Sequence, residues 1–189
     1  MRIICLAALS LILASGPVLA AGPQNDEALF GRDPGKDRAF ACFSRQYDSK
    51  HLSQHKEQNV TAMTLLVDSA DDADYGRQYT LSIGVNFRSV DEQFQVSGSC
   101  GVDEDGNKLL GCGIDCDGGQ IDVKLRDADS IAVEIPYGAR TWDPESEEEP
   151  PAEAAFGADD KVFWLYRTDL KNCLPLEYDD AGKALLAAQ

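Results

Sequence analysis

His51 and His55 are the only histidines of the chain, and they stand four residues apart. On a helix that spacing puts both imidazoles on one face, where they could chelate one divalent ion. Asp48 or Glu57 could add an oxygen ligand. Zinc proteases place a glutamate directly after the first histidine of such a pair; here Leu52 stands in that position. The pattern therefore supports metal binding by His51, His55 and Asp48 better than metal-assisted hydrolysis. The competing reading is a solvated helix face beside Tyr47. A second oxygen-rich run is Asp103, Asp105, Gly106 and Asn107. A calcium loop with Gly106 as its glycine would need a glutamate where Cys112 stands, so this run predicts a hairpin turn.

Nucleophile patterns are poor. Ser97-Gly98-Ser99-Cys100-Gly101 lacks the Gly-x-Ser-x-Gly elbow, and no phosphate-binding glycine loop occurs. Asn59-Val60-Thr61 is a glycosylation sequon, meaningful only in a eukaryotic secretory route.

The cysteines depend on the compartment. Arg2 followed by the apolar run 3–14, the breakers Gly16 and Pro17, and the small residues at 18 and 20 form a secretory signal peptide, 1–20, cleaved near Ala20. The run is shorter than the ~20 residues a spanning helix needs, and no later segment suits a span. The expected localisation is secreted or periplasmic. There the remaining five cysteines should pair, leaving one thiol over. A hairpin folded at 103–107 sets Cys100 opposite Cys112, close to bridging distance. Cys116 is the rival for Cys100. Cys42 and Cys173 lie near the ends of the folded region and could close a long loop. That assignment leaves Cys116 as the free thiol.

Export of Arg2 leaves 16 Lys and Arg against 33 Asp and Glu, a formal net charge of −17. Such a surface disfavours nucleic acid and anionic lipid and favours cationic partners. Solubility alone is the plainer reading of the same charge.

The elements that must carry these residues are mostly strands. Residues 21–37 read as a flexible arm. Residues 40–55 read as an N-terminal helix, because Phe43, Tyr47, His51 and His55 recur every four residues, with Ser44 or Asp48 as cap. The run 60–67 is a strand, followed by an acidic loop at 68–74. Tyr79, Leu81, Ile83, Val85 and Phe87 alternate with polar residues, as do residues 94–100, 121–126 and 131–137, and a short strand falls near 109–114. Short connections make neighbours pair in sequence. The expected fold is mainly β: an antiparallel up-and-down meander of about 7–8 strands, closed as a small barrel or a curled sandwich to hide its edges. Residues 143–160, with Glu145, Glu147, Glu148 and Glu149 among prolines, read as a disordered acidic loop within one domain, 38–178; a tail, 179–189, follows. In the last strand Val162, Trp164 and Tyr166 share one side. They form either a ligand strip or a second buried face.

The run Cys42-Phe43-Ser44-Arg45-Gln46-Tyr47-Asp48 with His51, Leu52 and His55, plus residues 112–119, resembles small secreted bacterial proteins of uncharacterised function. The resemblance implies no activity. The expectation is an exported acidic monomer that binds a protein or small cationic ligand without catalysis, and no cofactor beyond a divalent metal. The alternatives are metal binding by His51 and His55, and a hydrolase of unknown substrate.

Overall fold

The computed structural model describes residues 23–102 and 109–188. The signal-peptide reading of 1–20 and the turn at 103–107 lie outside them. Eight antiparallel strands form a closed barrel in chain order: β1 (Ala39–Gln46), β2 (Val60–Asp72), β3 (Gly76–Phe87), β4 (Gln93–Val102), β5 (Leu110–Ile114), β6 (Gln120–Asp127), β7 (Ser130–Glu134) and β8 (Val162–Arg167). Closure removes both sheet edges, so the curled sandwich is not the solution adopted.

Alternation sorts the side chains. Met63, Leu65 and Val67 of β2 join Leu81, Ile83 and Val85 of β3, Val96 of β4, Ile121 and Val123 of β6, and Phe163 and Leu165 of β8 in one lumenal core. Eight strands enclose about the volume that such side chains fill. Polar residues such as Thr80, Ser82, Ser97, Ser99 and Lys124 face out. That is opposite to a transmembrane barrel, whose apolar band faces lipid.

The helix expected over 40–55 is corrected. Its first half is β1, and only α2 (Ser49–Gln54) is helical. Residues 39–43 are all buried because β1 is covered on both sides. Ala41 and Phe43 point into the lumen, while Phe40 and Cys42 face a second, outer cluster with Leu66, Cys173, Leu176 and Leu186. That cluster lies under a 3₁₀ turn (Leu170–Leu176) and α3 (Asp180–Ala188), so the tail packs on the barrel wall. Strand β2 also runs on to Asp72, through most of the expected acidic loop. Asp68 faces out, where the Arg38 guanidinium donates to both its carboxylate oxygens, at 2.9 and 2.6 Å.

Both barrel mouths are stoppered. At one end α1 (Pro23–Phe30), within the stretch expected as an arm, buries Leu29. Tyr79 Oη donates to Asp26 at 2.5 Å, and Arg167 donates to the carbonyls of Leu29 and Ala28. At the other end the 143–160 segment returns to the barrel. Phe156 meets Phe87 and Phe163 edge-on, with centroids 5.8 and 6.1 Å apart. Asp160, wholly buried, accepts at Oδ2 from the amides of Gly157, Asn59 and Val60 at 2.7, 2.8 and 3.2 Å. Burial pushes its carboxyl above the usual range. Gly157 lies against the Glu57 carbonyl so closely that a Cβ would strike it.

Candidate functional site

Because the lumen is filled and closed, chemistry available to a partner lies outside. Two of the regions singled out by sequence meet on one outer face. Strand β8 turns Phe163 and Leu165 inward and leaves Val162, Trp164 and Tyr166 about half exposed. The second buried face considered for this strand is therefore absent. Arg126 of β6 reaches across β7, whose Ala132 pairs with Trp164, and sets its guanidinium 3.9 Å from the Trp164 ring centroid. Arg45, at the end of β1, lies 4.5 Å from the Tyr47 ring and 5.8 Å from that of Tyr166. From Tyr47 the stack continues to His51 at 4.7 Å and from His51 to His55 at 4.4 Å. A continuous ladder of flat groups thus runs from α2 to β8. Each guanidinium gains about 0.5–1 kcal/mol at such an exposed site.

This packing also decides how the histidines present themselves. Asp48 caps α2, its Oδ1 accepting from the His51 amide at 2.7 Å. His51 Nε2 is 2.9 Å from Gln58 Oε1. The two rings are stacked, 18° from parallel, so their nitrogens do not converge on one point. Among the described residues no group of three His, Cys, Asp or Glu is placed to hold a metal ion. His51 and His55 could contribute two ligands, and Asp48 is already engaged as a cap.

The disulfides are Cys42–Cys173, which ties the 3₁₀ turn to the outside of β1, and Cys100–Cys112 between register partners of β4 and β5. Cys116 is free and exposed. It sits with Asp117 at positive φ, 57° and 56°, in the β5–β6 turn closed by Gly118 N donating to Asp115 O. Consecutive positive φ values are the mark of the tight hairpin turn that matches strand twist. Asn59, the sequon residue, donates its side-chain amide to the carbonyls of Glu153 and Ala155.

Several basic side chains are engaged by the fold, while Arg32, Lys36, Lys50, Lys56, Arg140, Lys161 and Lys171 are exposed. Arg38 binds Asp68, Glu177 and Asp179. Arg77 binds Asp26. Arg88 donates to the carbonyls of Gln58, Leu52 and His55, and Lys124 pairs with Glu134. In contrast, Asp71, Asp72, Asp74, Asp115, Asp117, Glu145, Glu147, Glu148 and Glu149 are exposed. A surface hollow of about 570 Å³ beside Glu27, Leu125 and Arg167 holds none of the sequence-predicted site residues. A smaller one, about 340 Å³, lies between Glu92, Gln93 and Gln95, the 143–145 segment, and Pro175. Sequence reading missed it, because it joins β4 to two segments expected to be a disordered loop and the approach to the tail.

The fold and its surface define a sealed eight-stranded barrel with a covalently fastened C-terminal flap. No family model, no curated protein and no solved structure matches the chain.

Proposed function

We propose that this chain is an exported, acidic, non-catalytic binding protein that meets a cationic partner on its outer surface. The observation that carries the reading is the division of charge. Arg38 and Arg77 pair with carboxylates of the fold and Arg88 with carbonyls, whereas Glu145, Glu147, Glu148 and Glu149 crowd one exposed loop without a basic residue among them. With 16 Lys and Arg against 33 Asp and Glu once Arg2 is removed, the outward field is negative, and such a field steers cations. Two disulfides fit an oxidising compartment, which supports export. The lumen offers no room, so the partner is met by loops and wall.

The test is titration of the mature protein with oligolysines of defined length at two ionic strengths. Expected are saturable binding, weakening with salt, and a loss of affinity when Glu145, Glu147, Glu148 and Glu149 are changed to Gln. Absence of saturable binding at low salt would leave the charge to solubility alone. The divalent-metal alternative rests on His51 and His55 as sole donors. The hydrolase alternative gains no observation in its favour.

A further inference from the structure

The outward residues of β3 and β4 are small where these strands pass the C-terminal flap. Thr80 stands opposite Ser99, and Ser82 opposite Ser97, so four hydroxyls form a two-by-two grid on the barrel wall. Directly opposed side chains of this kind sit about 5 Å apart. Lysine or glutamate at these positions would fill the space above the wall; hydroxyls leave it open. The grid lines a hollow of about 200 Å³, walled also by Asp115 and by Glu177 and Tyr178 of the flap. A second hollow, of about 210 Å³, shares Ser97 and Asp115 with the first and adds Cys116, Arg140 and Trp142. The two also meet through their aromatic walls, the Trp142 ring lying 5.5 Å from that of Tyr178.

The polar groups of this groove are reachable and unspent. Thr80, Ser99, Asp115, Arg140 and Tyr178 are exposed, and Ser82, Ser97 and Trp142 partly so. Among the described residues nothing pairs with the hydroxyls of Thr80, Ser82 and Ser99 or with the Arg140 guanidinium. Ser97 Oγ makes only a long bond, 3.5 Å, to Asp115. The carboxylates of Asp68 and Glu177, by contrast, are already held by Arg38. Hydroxyls both donate and accept, Asp115 only accepts, and Arg140 only donates. The ligand that suits this set offers donors and acceptors together and no net charge. A cation would face Arg140, and an anion would face Asp115 and the negative field of the whole chain. The ligand also needs an apolar face to lie on Trp142 and Tyr178. An extended peptide carries donors and acceptors too, but it pairs with an open strand edge, and the closed barrel has none. A pyranose ring has both properties, with hydroxyls around its rim and C–H groups across its faces.

We infer that this groove binds a neutral oligosaccharide, with ring faces on Trp142 and Tyr178 and hydroxyls on the Ser–Thr grid, Asp115 and Arg140. The two volumes together reach the range of small-molecule sites. The site is independent of the cationic partner and goes beyond it.

Calorimetric titration of the disulfide-intact mature chain with cellobiose, maltose and N,N′-diacetylchitobiose, each separately, tests it. Saturable binding of at least one probe is expected, equal at low and high ionic strength because the ligand carries no charge. Trp142→Ala should weaken it about tenfold, the upper range for one aromatic contact. Ser99→Val and Arg140→Ala, both at exposed positions that leave folding intact, should each weaken it about threefold or more through lost hydrogen bonds. Tyr75→Ala, at a ring 82 % exposed in the β2–β3 turn, should bind as the parent does. Bound saccharide should also slow alkylation of Cys116, which lines the second hollow. The inference is overturned if no probe binds saturably, if Ser99→Val and Arg140→Ala both bind as the parent does, or if Tyr75→Ala loses as much affinity as they do. Oligolysine binding is read in a separate titration, so either reading can fail without the other.

Discussion

Replacing Asp160 by Ala tests whether the lower stopper is built as described. Oδ2 serves three backbone amides, those of Gly157, Asn59 and Val60. Val60 is fully buried, so its amide would be left without a partner, at about 1–3 kcal/mol. Asn59 and Gly157 are half-buried and can recruit water, so each costs less. Removing a carboxylate whose charged form is opposed by burial offsets part of the loss. The net expectation is about 2–4 kcal/mol, or roughly 5–15 °C in Tm for a chain of this size. Urea denaturation followed by near-UV circular dichroism measures it. Hydrogen exchange should show the amides of Asn59 and Val60 deprotected first, and a hydrophobic dye should bind once Phe156 leaves Phe87 and Phe163. A stability change under about 0.5 kcal/mol with those amides still protected would refute the reasoning. The pH dependence has a fixed sign. A raised folded-state pKa means that the folded protein binds the Asp160 proton more tightly than the unfolded chain does. Its contribution is therefore fully present below the ordinary carboxylate range and is lost as pH rises through the folded value. In Asp160→Asn that trend disappears, so its stability deficit relative to the parent narrows from acid toward neutral pH.

Four further outcomes follow from other parts of the molecule. Changing Cys42 and Cys173 together to Ser releases a cross-link with a sequence separation of 131 residues, and should cost about 5 kcal/mol by loop-closure entropy, read from urea midpoints. Native alkylation followed by mass spectrometry should label Cys116 alone among the described cysteines; labelling at Cys100 or Cys112 would contradict the pairing. Arg126→Ala should expose the Trp164 ring to acrylamide quenching and cost about 0.5–1 kcal/mol. If the histidine pair binds zinc, copper or nickel, His51→Ala must lose that affinity; an unchanged titration removes the metal alternative.

How far the sequence foretold this molecule depended on how many sides of each element are covered. Strands β3 and β4 bury one face and wet the other, so their alternation was plain. Strand β1 is covered by the lumen on one side and the C-terminal flap on the other, which erased the alternation over 39–43 and let the four-residue aromatic spacing pass for a helix. The short α1 and the 154–160 stopper were hidden for a different reason. Each contributes one or two anchors, Leu29 or Phe156 with Asp160, within polar sequence, and only tertiary contacts distinguish such anchors from a mobile run. The ladder from His55 to Tyr166 was half legible. Its two ends were visible as a histidine pair and an aromatic strand, but Arg45, which joins them, carries no signal until β1 and β8 are adjacent. The hollow beside β4 gave no signal at all, since Gln95, Asp143 and Pro175 are distant in the chain.

The Cys42–Cys173 bond has one more consequence. It encloses β2 to β8 and most of β1 in a covalent ring; among the described residues, the run before Cys42, with α1, and the run after Cys173, with the last helix, lie outside it. A protease that cuts once in an exposed loop, such as the acidic stretch 145–149, opens the ring without releasing a fragment. The cut protein would gain only the mass of one water, and its two pieces would stay covalently joined until a reductant is added. Where proteases are present, such a chain can carry a broken loop and still hold together as one covalent body.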